Sequence, residues 1–254
     1  MTKIPTNVNP SLLPEHLITW EKLPDNFLLP DDPVENLTHP LLAAALTEIL
    51  GLAGLVGIYQ LVASNYGICA TVNGKTVVKA PDWVYVANVL PKAVPEIIRS
   101  YTPNLEGDIP SVVMEFLSDT EGGEYSLNPR YPYGKWYFYE RILRVPVYVI
   151  FEPESGTIEV RELRRGHYEL GVPAPNGQYW IESLGLFLGV WQGSRLNRTG
   201  FWLRWWDKEG HLLPWSTEVQ QQAQEAQRQA QEAQQKAELL AQKLRELGID
   251  PENL

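Results

Sequence analysis

From residue 38 onward the apolar positions change period several times, and each change marks an element. Leu41, Leu42, Ala45, Leu46, Ile49 and Leu50 recur at helical spacing. Asn36-Leu37-Thr38-His39-Pro40 reads as the start of that helix, with Thr38 as its cap and Pro40 in the first turn. Gly51, Gly54 and Gly57 end it. The period then shortens. Ile58 to Ala63 reads as a strand, and Ile68 to Val72 and Thr76 to Val78 flank Asn73-Gly74, a strong hairpin signal. Trp83 to Val86, Val112 to Leu117, Val147 to Glu152 and Thr157 to Leu163 are further predicted strands. Lys135 to Leu143 is helix-like, and Pro146 stops it. The alternation of strand, loop, helix and strand predicts an α/β domain with a mixed sheet flanked by helices.

After residue 164 the pattern is β-like and aromatic. Leu186 to Trp191 and Phe201 to Trp206 are predicted strands of a terminal hairpin, joined by the loop Gln192 to Gly200. Trp191, Trp202, Trp205, Trp206 and Trp215 read as core and interface residues, with a ligand platform as the alternative. From Ser216 the chain turns to Gln, Ala and Glu. Ala223, Ala226, Ala230, Ala233, Ala237, Leu240, Leu244 and Leu247 keep a three-four spacing through four seven-residue units. A long helix follows, either pairing with another copy as a coiled coil in a homodimer or higher oligomer, or lying solvated. The predicted organisation is an irregular Pro-rich arm at 1–37, one domain at 38–215 and a C-terminal helix at 216–254.

Composition narrows the classes. With 44% hydrophobic and 20% charged residues in 254, the chain buries a real core. A formal charge of -10 argues against broad electrostatic attachment to nucleic acid or anionic membrane, though not against a local basic groove or a cation that draws phosphate in. The most apolar window, Leu41 to Val62, contains Glu48, Gln60 and three glycines, so it reads as buried helix and strand, not as a membrane span. Cys69 is the only cysteine, which excludes an intrachain disulfide and a thiolate zinc site. Met1-Thr2-Lys3-Ile4-Pro5 lacks the apolar region of a signal peptide, and the expected compartment is the cytoplasm.

Two of the apolar strands have an acid set at or within them. Asp82 opens Trp83 to Val86, and Glu115 lies inside Val112 to Leu117. A buried carboxylate is costly unless it is paired or binds a metal. A hard cation such as Mg2+ or Mn2+ held by Asp82 and Glu115 would offset phosphodiester charge and lower the pKa of a bound water. A nearby ammonium would stabilise the charge that develops in the transition state. Lys135 is the foremost cation for that role, and Lys79 a lesser one.

The ordered set Pro81-Asp82, Val113-Met114-Glu115-Phe116-Leu117-Ser118, Gly134-Lys135-Trp136-Tyr137-Phe138-Tyr139-Glu140 and Val147-Tyr148-Val149-Ile150-Phe151-Glu152 resembles the PD-(D/E)xK nuclease superfamily, and within it the Uma-two-type family. Leu184 to Gly193 and Trp202 to Asp207 are similar to that family's C-terminal part. The resemblance spans roughly residues 36–254. It implies a restriction-endonuclease-like fold, a metal-dependent endonuclease acting on DNA, Asp82 and Glu115 as metal-binding acids, and Lys135 as the catalytic lysine. The superfamily's usual lysine position, two residues after the second acid, is Leu117 here; the family resemblance implies that the lysine comes instead from the following helix, as Lys135, whose alternative is a surface charge at a helix start. Glu48 is a candidate further acid on the first helix, or else a solvent-facing residue of it. A catalytically inactive protein of the same fold, acting in assembly through its C-terminal helix, is the alternative function.

Overall fold

A computed structural model describes residues 17–21, 37–91, 99–117 and 123–246. Most of the 1–37 arm, residues 118–122 and Leu247 of the heptad seam lie outside the described residues. In chain order the elements are β1 (Ile18–Thr19), α1 (Thr38–Leu52), β2 (Leu61–Ala63), β3 (Gly67–Val72), β4 (Lys75–Lys79), β5 (Trp83–Val86), β6 (Ser100–Tyr101) and β7 (Val112–Phe116). Then come α2 (Lys135–Tyr137), a π-helical turn (Phe138–Leu143), β8 (Val147–Glu152), β9 (Thr157–Arg164), β10 (His167–Leu170), β11 (Tyr179–Ile181), β12 (Leu186–Arg195), β13 (Arg198–Trp206) and α3 (Ser216–Glu246). Residues to Leu212 make one compact unit, and the remainder a second. The architecture is α/β, with mixed sheets, C-terminal strands and then a long helix.

The central sheet has six strands in the order β10-β9-β8-β7-β5-β2. Its one parallel pair is β7 with β8, joined by the crossover that contains α2. The other four pairings are antiparallel. Val112, Val113, Met114 and Phe116 of β7 are almost fully buried, each worth about 1.5–3 kcal/mol. That burial offsets the cost of a strand that also carries Glu115 at 0% exposure. Tyr137, Phe138, Tyr139, Ile142 and Leu143 pack onto the same core as Val84, Val113, Tyr148 and Ile150.

The Asn73-Gly74 hairpin forms as predicted, with φ of 51° and 72° at the two turn residues. It belongs to a second sheet, in which β1 and β6 both pair with β3. Helix α1 begins at Thr38, so Thr38 is its first turn and Leu37 the capping position. The terminal hairpin is longer than predicted. β12 and β13 stay paired from Phe187–Trp206 out to Arg195–Arg198, and the chain reverses at Leu196-Asn197, both at positive φ. Trp202 and Trp205 are buried. Trp205 donates its indole N–H to the Leu46 carbonyl at 3.3 Å and lies 6.0 Å from the Trp83 ring, which ties α1 to both the hairpin and β5. The second unit is helix α3 with the residues around it.

Candidate active site

The register of β5 with β7 sets Trp83 against Met114 and Val84 against Val113. Carried one residue further, it places Asp82 opposite Glu115. The junction is closed by a hydrogen bond, because the Phe116 N–H donates to Asp82 Oδ2 at 2.6 Å. The two predicted acids therefore sit side by side at one end of adjacent strands.

Lys135 meets them from α2. Its Nζ lies 3.1 Å from Glu115 Oε2 and 3.4 Å from Glu124 Oε1. Helical spacing sets Lys135 and Tyr139 on one face, and the Tyr139 hydroxyl donates to Glu115 Oε1 at 2.9 Å. Gly134 makes this approach possible. A Cβ there would stand 2.0 Å from the Ser126 carbonyl oxygen, so no other residue lets the chain turn into α2 along this path. Asp82, Glu115 and Lys135 thus come together, with the lysine supplied by the helix after β7 and Leu117 contributing no charge.

Burial pushes the Glu115 carboxyl up to about 8, with Lys135 pulling it down and Asp82 adding to the rise. Burial acts to lower the Lys135 ammonium, but the Glu115 and Glu124 carboxylates outweigh it and hold its pKa above the ordinary lysine value. Lys135 is therefore a cation at neutral pH. The Tyr139 and Tyr148 hydroxyls are pushed well above the usual range, first by burial and then by Glu115.

Three participants escaped the sequence reading. Glu124 is buried, anchors Lys135, and leaves Oε2 without a hydrogen-bond partner among the described residues. Tyr139 reaches the site through its hydroxyl. His39 enters from α1, with Nδ1 3.7 Å from Asp82 Oδ1 and Nε2 3.3 Å from the Leu117 carbonyl oxygen. The signal for Tyr139 was its spacing from Lys135. Glu124 and His39 had no local signal. Glu48 pairs instead with Arg195 of β12. Lys79 is half-buried at the end of β4.

Among the described residues, no three His, Cys, Asp or Glu side chains form a ready-made cation cage. What the site offers is a pair of carboxylates. Each oxygen of a carboxylate accepts at two positions, so Glu115 can meet a cation while keeping Lys135 and Tyr139. In Asp82 the Phe116 N–H takes Oδ2, and Oδ1 lies 3.7 Å from His39 Nδ1. These donors are all oxygen, which suits Mg2+ or Mn2+ with water and phosphate completing the shell.

No helix among the described residues is long and apolar enough to cross a membrane. A search of curated proteins finds no match. A family model does match, over residues 23–197 and so over more than half of the chain; its description is "Uma2: Putative restriction endonuclease". The matched span contains Asp82, Glu115, Glu124 and Lys135, and the chain belongs to the Uma2 family.

Proposed function

We propose that this protein is a metal-dependent endodeoxyribonuclease that hydrolyses DNA phosphodiester bonds through Asp82, Glu115 and Lys135. The reading is carried by one observation: the ammonium of Lys135 is held between Glu115 and Glu124 at the strand ends where Asp82 stands opposite Glu115. Membership of the Uma2 family supports the same reaction class. The catalytic unit would run over 38–215, with the arm 1–37 and the helix 216–254 outside it. The unpaired thiol of Cys69 suits a reducing compartment such as the cytoplasm.

Asp82 and Glu115 would hold Mg2+ or Mn2+, which supplies charge neutralisation at the phosphate and a more acidic bound water. Lys135 is protonated, so its role is to donate to a phosphoryl oxygen and to position the attacking water, not to remove a proton from it. Tyr139 and Glu124 keep Glu115 and Lys135 in their rotamers. Asp82 is aimed by the Phe116 amide.

The test is Mg2+-dependent nicking of supercoiled plasmid by the purified chain beside Asp82→Ala and Lys135→Ala. Activity in the parent and its loss in both variants support the reading. Equal nicking by all three overturns it.

A second reading, assembly through α3 without catalysis, is favoured by how charge falls on that 31-residue helix. Glu218, Glu225, Glu232 and Glu246 recur at one heptad position, and Glu238 lies at the position before it. All five are off the Ala/Leu seam, and the positions flanking the seam hold Gln, Ala or Lys. Glu225, Glu238 and Glu246 are engaged within the helix by Arg228, Gln234 and Gln242. A second copy would meet a seam free of acidic repulsion.

A further inference from the structure

Two arginines stand where a different residue would suit the backbone better. The β9–β10 hairpin reverses at Arg165-Gly166, with φ of 50° and 83°. The β3–β4 hairpin makes the same kind of reversal at Asn73-Gly74, with φ of 51° and 72°. Asparagine and glycine fit that left-handed turn, and a long side chain is disfavoured in it. Arg144 repeats the anomaly. It closes the π-helical turn at φ 61°, a position that glycine and asparagine usually fill. Side chains kept in a disfavoured backbone conformation mark positions where function sets the residue.

Both arginines lie at one end of the central sheet. β8 and β9 pair Val147 with Glu162, and the Leu163 N–H donates to the Pro146 carbonyl at 2.8 Å. Arg144 and Arg165 each lie three residues beyond that pair. Arg164 stands opposite His167, and Arg141 meets the His167 ring. Arg141 and Arg164 engage Glu140 and Glu162. Arg144 and Arg165 are exposed and, among the described residues, make no ion pair or side-chain hydrogen bond. That leaves two free guanidinium groups against Glu169 in these turns, in a chain whose formal charge is -10.

A guanidinium meets a phosphate with two parallel N–H donors. The turns that carry Arg144 and Arg165 fix where those donors start. From Lys135 the chain reaches Arg144 through α2 and the π-helical turn, nine residues and so about 10–13 Å, or about three to four base steps of a duplex. We propose that Arg144 and Arg165 bind the sugar-phosphate backbone of duplex DNA. The proposal rests on the nuclease reading above and adds the surface that holds the substrate. Contact with the backbone positions a duplex without reading its sequence.

The experiment measures binding of the full chain to a labelled DNA duplex by fluorescence anisotropy, with a chelator present to prevent cleavage and at several salt concentrations. The parent should bind with an affinity that falls as salt rises. The double variant Arg144→Asn with Arg165→Asn should bind about tenfold more weakly at low salt, and its slope of log affinity against log salt should be shallower by about two. Its Tm should equal or exceed the parent's, because asparagine suits both backbone positions. The double variant Arg144→Lys with Arg165→Lys keeps the charge and should recover most of the affinity and the salt slope. Parental affinity and slope in the asparagine variant, or weaker binding that comes only with a lower Tm, overturns the proposal. So does a parent that nicks plasmid with Mg2+ yet binds no duplex under chelator. Each of these leaves the nuclease reading standing, whereas a parent that neither binds nor nicks DNA overturns both.

Discussion

Glu115 should make this protein lose stability as pH rises, and replacing it should restore that stability. The perturbation is Glu115→Gln, which keeps the shape of a protonated carboxyl and an acceptor for the Tyr139 hydroxyl. Burial raises the folded-state value to about 8 from an ordinary 4.5. The proton is therefore bound more tightly in the folded chain than in the unfolded one. The stability this contributes is complete below about pH 4.5 and is lost as pH rises through about 8. At about 1.36 kcal/mol per unit, the parent should lose on the order of 3 kcal/mol between about pH 5 and pH 8 from this residue alone. Urea denaturation of parent and variant, with a chelator present, isolates Glu115 as the difference between the two curves. The pair should agree within about 1 kcal/mol near pH 5, and the variant should be the more stable by about 3 kcal/mol near pH 8. Parallel profiles, or a parent more stable at pH 8, would refute the reasoning and mean that Lys135 holds Glu115 ionised at no cost.

Further outcomes follow from the same contacts. Gly134→Ala drives a methyl to 2.0 Å from the Ser126 carbonyl oxygen, so thermal unfolding should show a loss of about 2 kcal/mol or more and nicking should fall with the displaced Lys135. Tyr139→Phe removes a hydrogen bond that lowers the Glu115 pKa, so the acidic limb of the rate profile should move to higher pH, by up to about one unit. An unmoved limb would mean that this hydroxyl does not control the carboxyl. On the assembly reading, truncation before Ser216 should abolish self-association in analytical ultracentrifugation while the remaining domain still unfolds cooperatively. An unchanged sedimentation coefficient distribution, corrected for mass, would remove α3 from assembly.

Much of this fold is legible in the chain because its core strands are short, apolar and rich in β-branched residues. Val112 to Phe116 and Val147 to Glu152 announce themselves in this way, and Asn73-Gly74 announces its turn. The pattern predicts too short a terminal hairpin because its reversal uses Leu196-Asn197, which lacks the glycine that marks such turns. The pattern from Lys135 to Leu143 predicts a helix without showing its type. It widens at Phe138, where bulky aromatics pack against β7 and β8, and closes with Arg144 in the left-handed region. Glu115 is legible because an acid with apolar neighbours on its strand face is a local conflict, whereas Asp82 is weaker by itself, since Pro-Asp is also ordinary turn chemistry. Lys135 stands out in the chain as a nearby cation, but its assignment to this pair of acids rests on the family resemblance, since nothing between it and Glu115 in sequence indicates a 3.1 Å contact. Glu124 sits within the connection between β7 and α2, and the partners of His39 are 43 and 78 residues away. Contacts at such separations leave no period in a sequence, so only the fold exposes them.

The most direct test of the central claim is anomalous diffraction from crystals soaked with Mn2+. The account predicts a peak at the strand ends between the carboxylates of Asp82 and Glu115, with Lys135 Nζ beside Glu115 and no peak there in Asp82→Ala. A peak confined to other residues, or none at an occupancy sufficient for nicking, would contradict it.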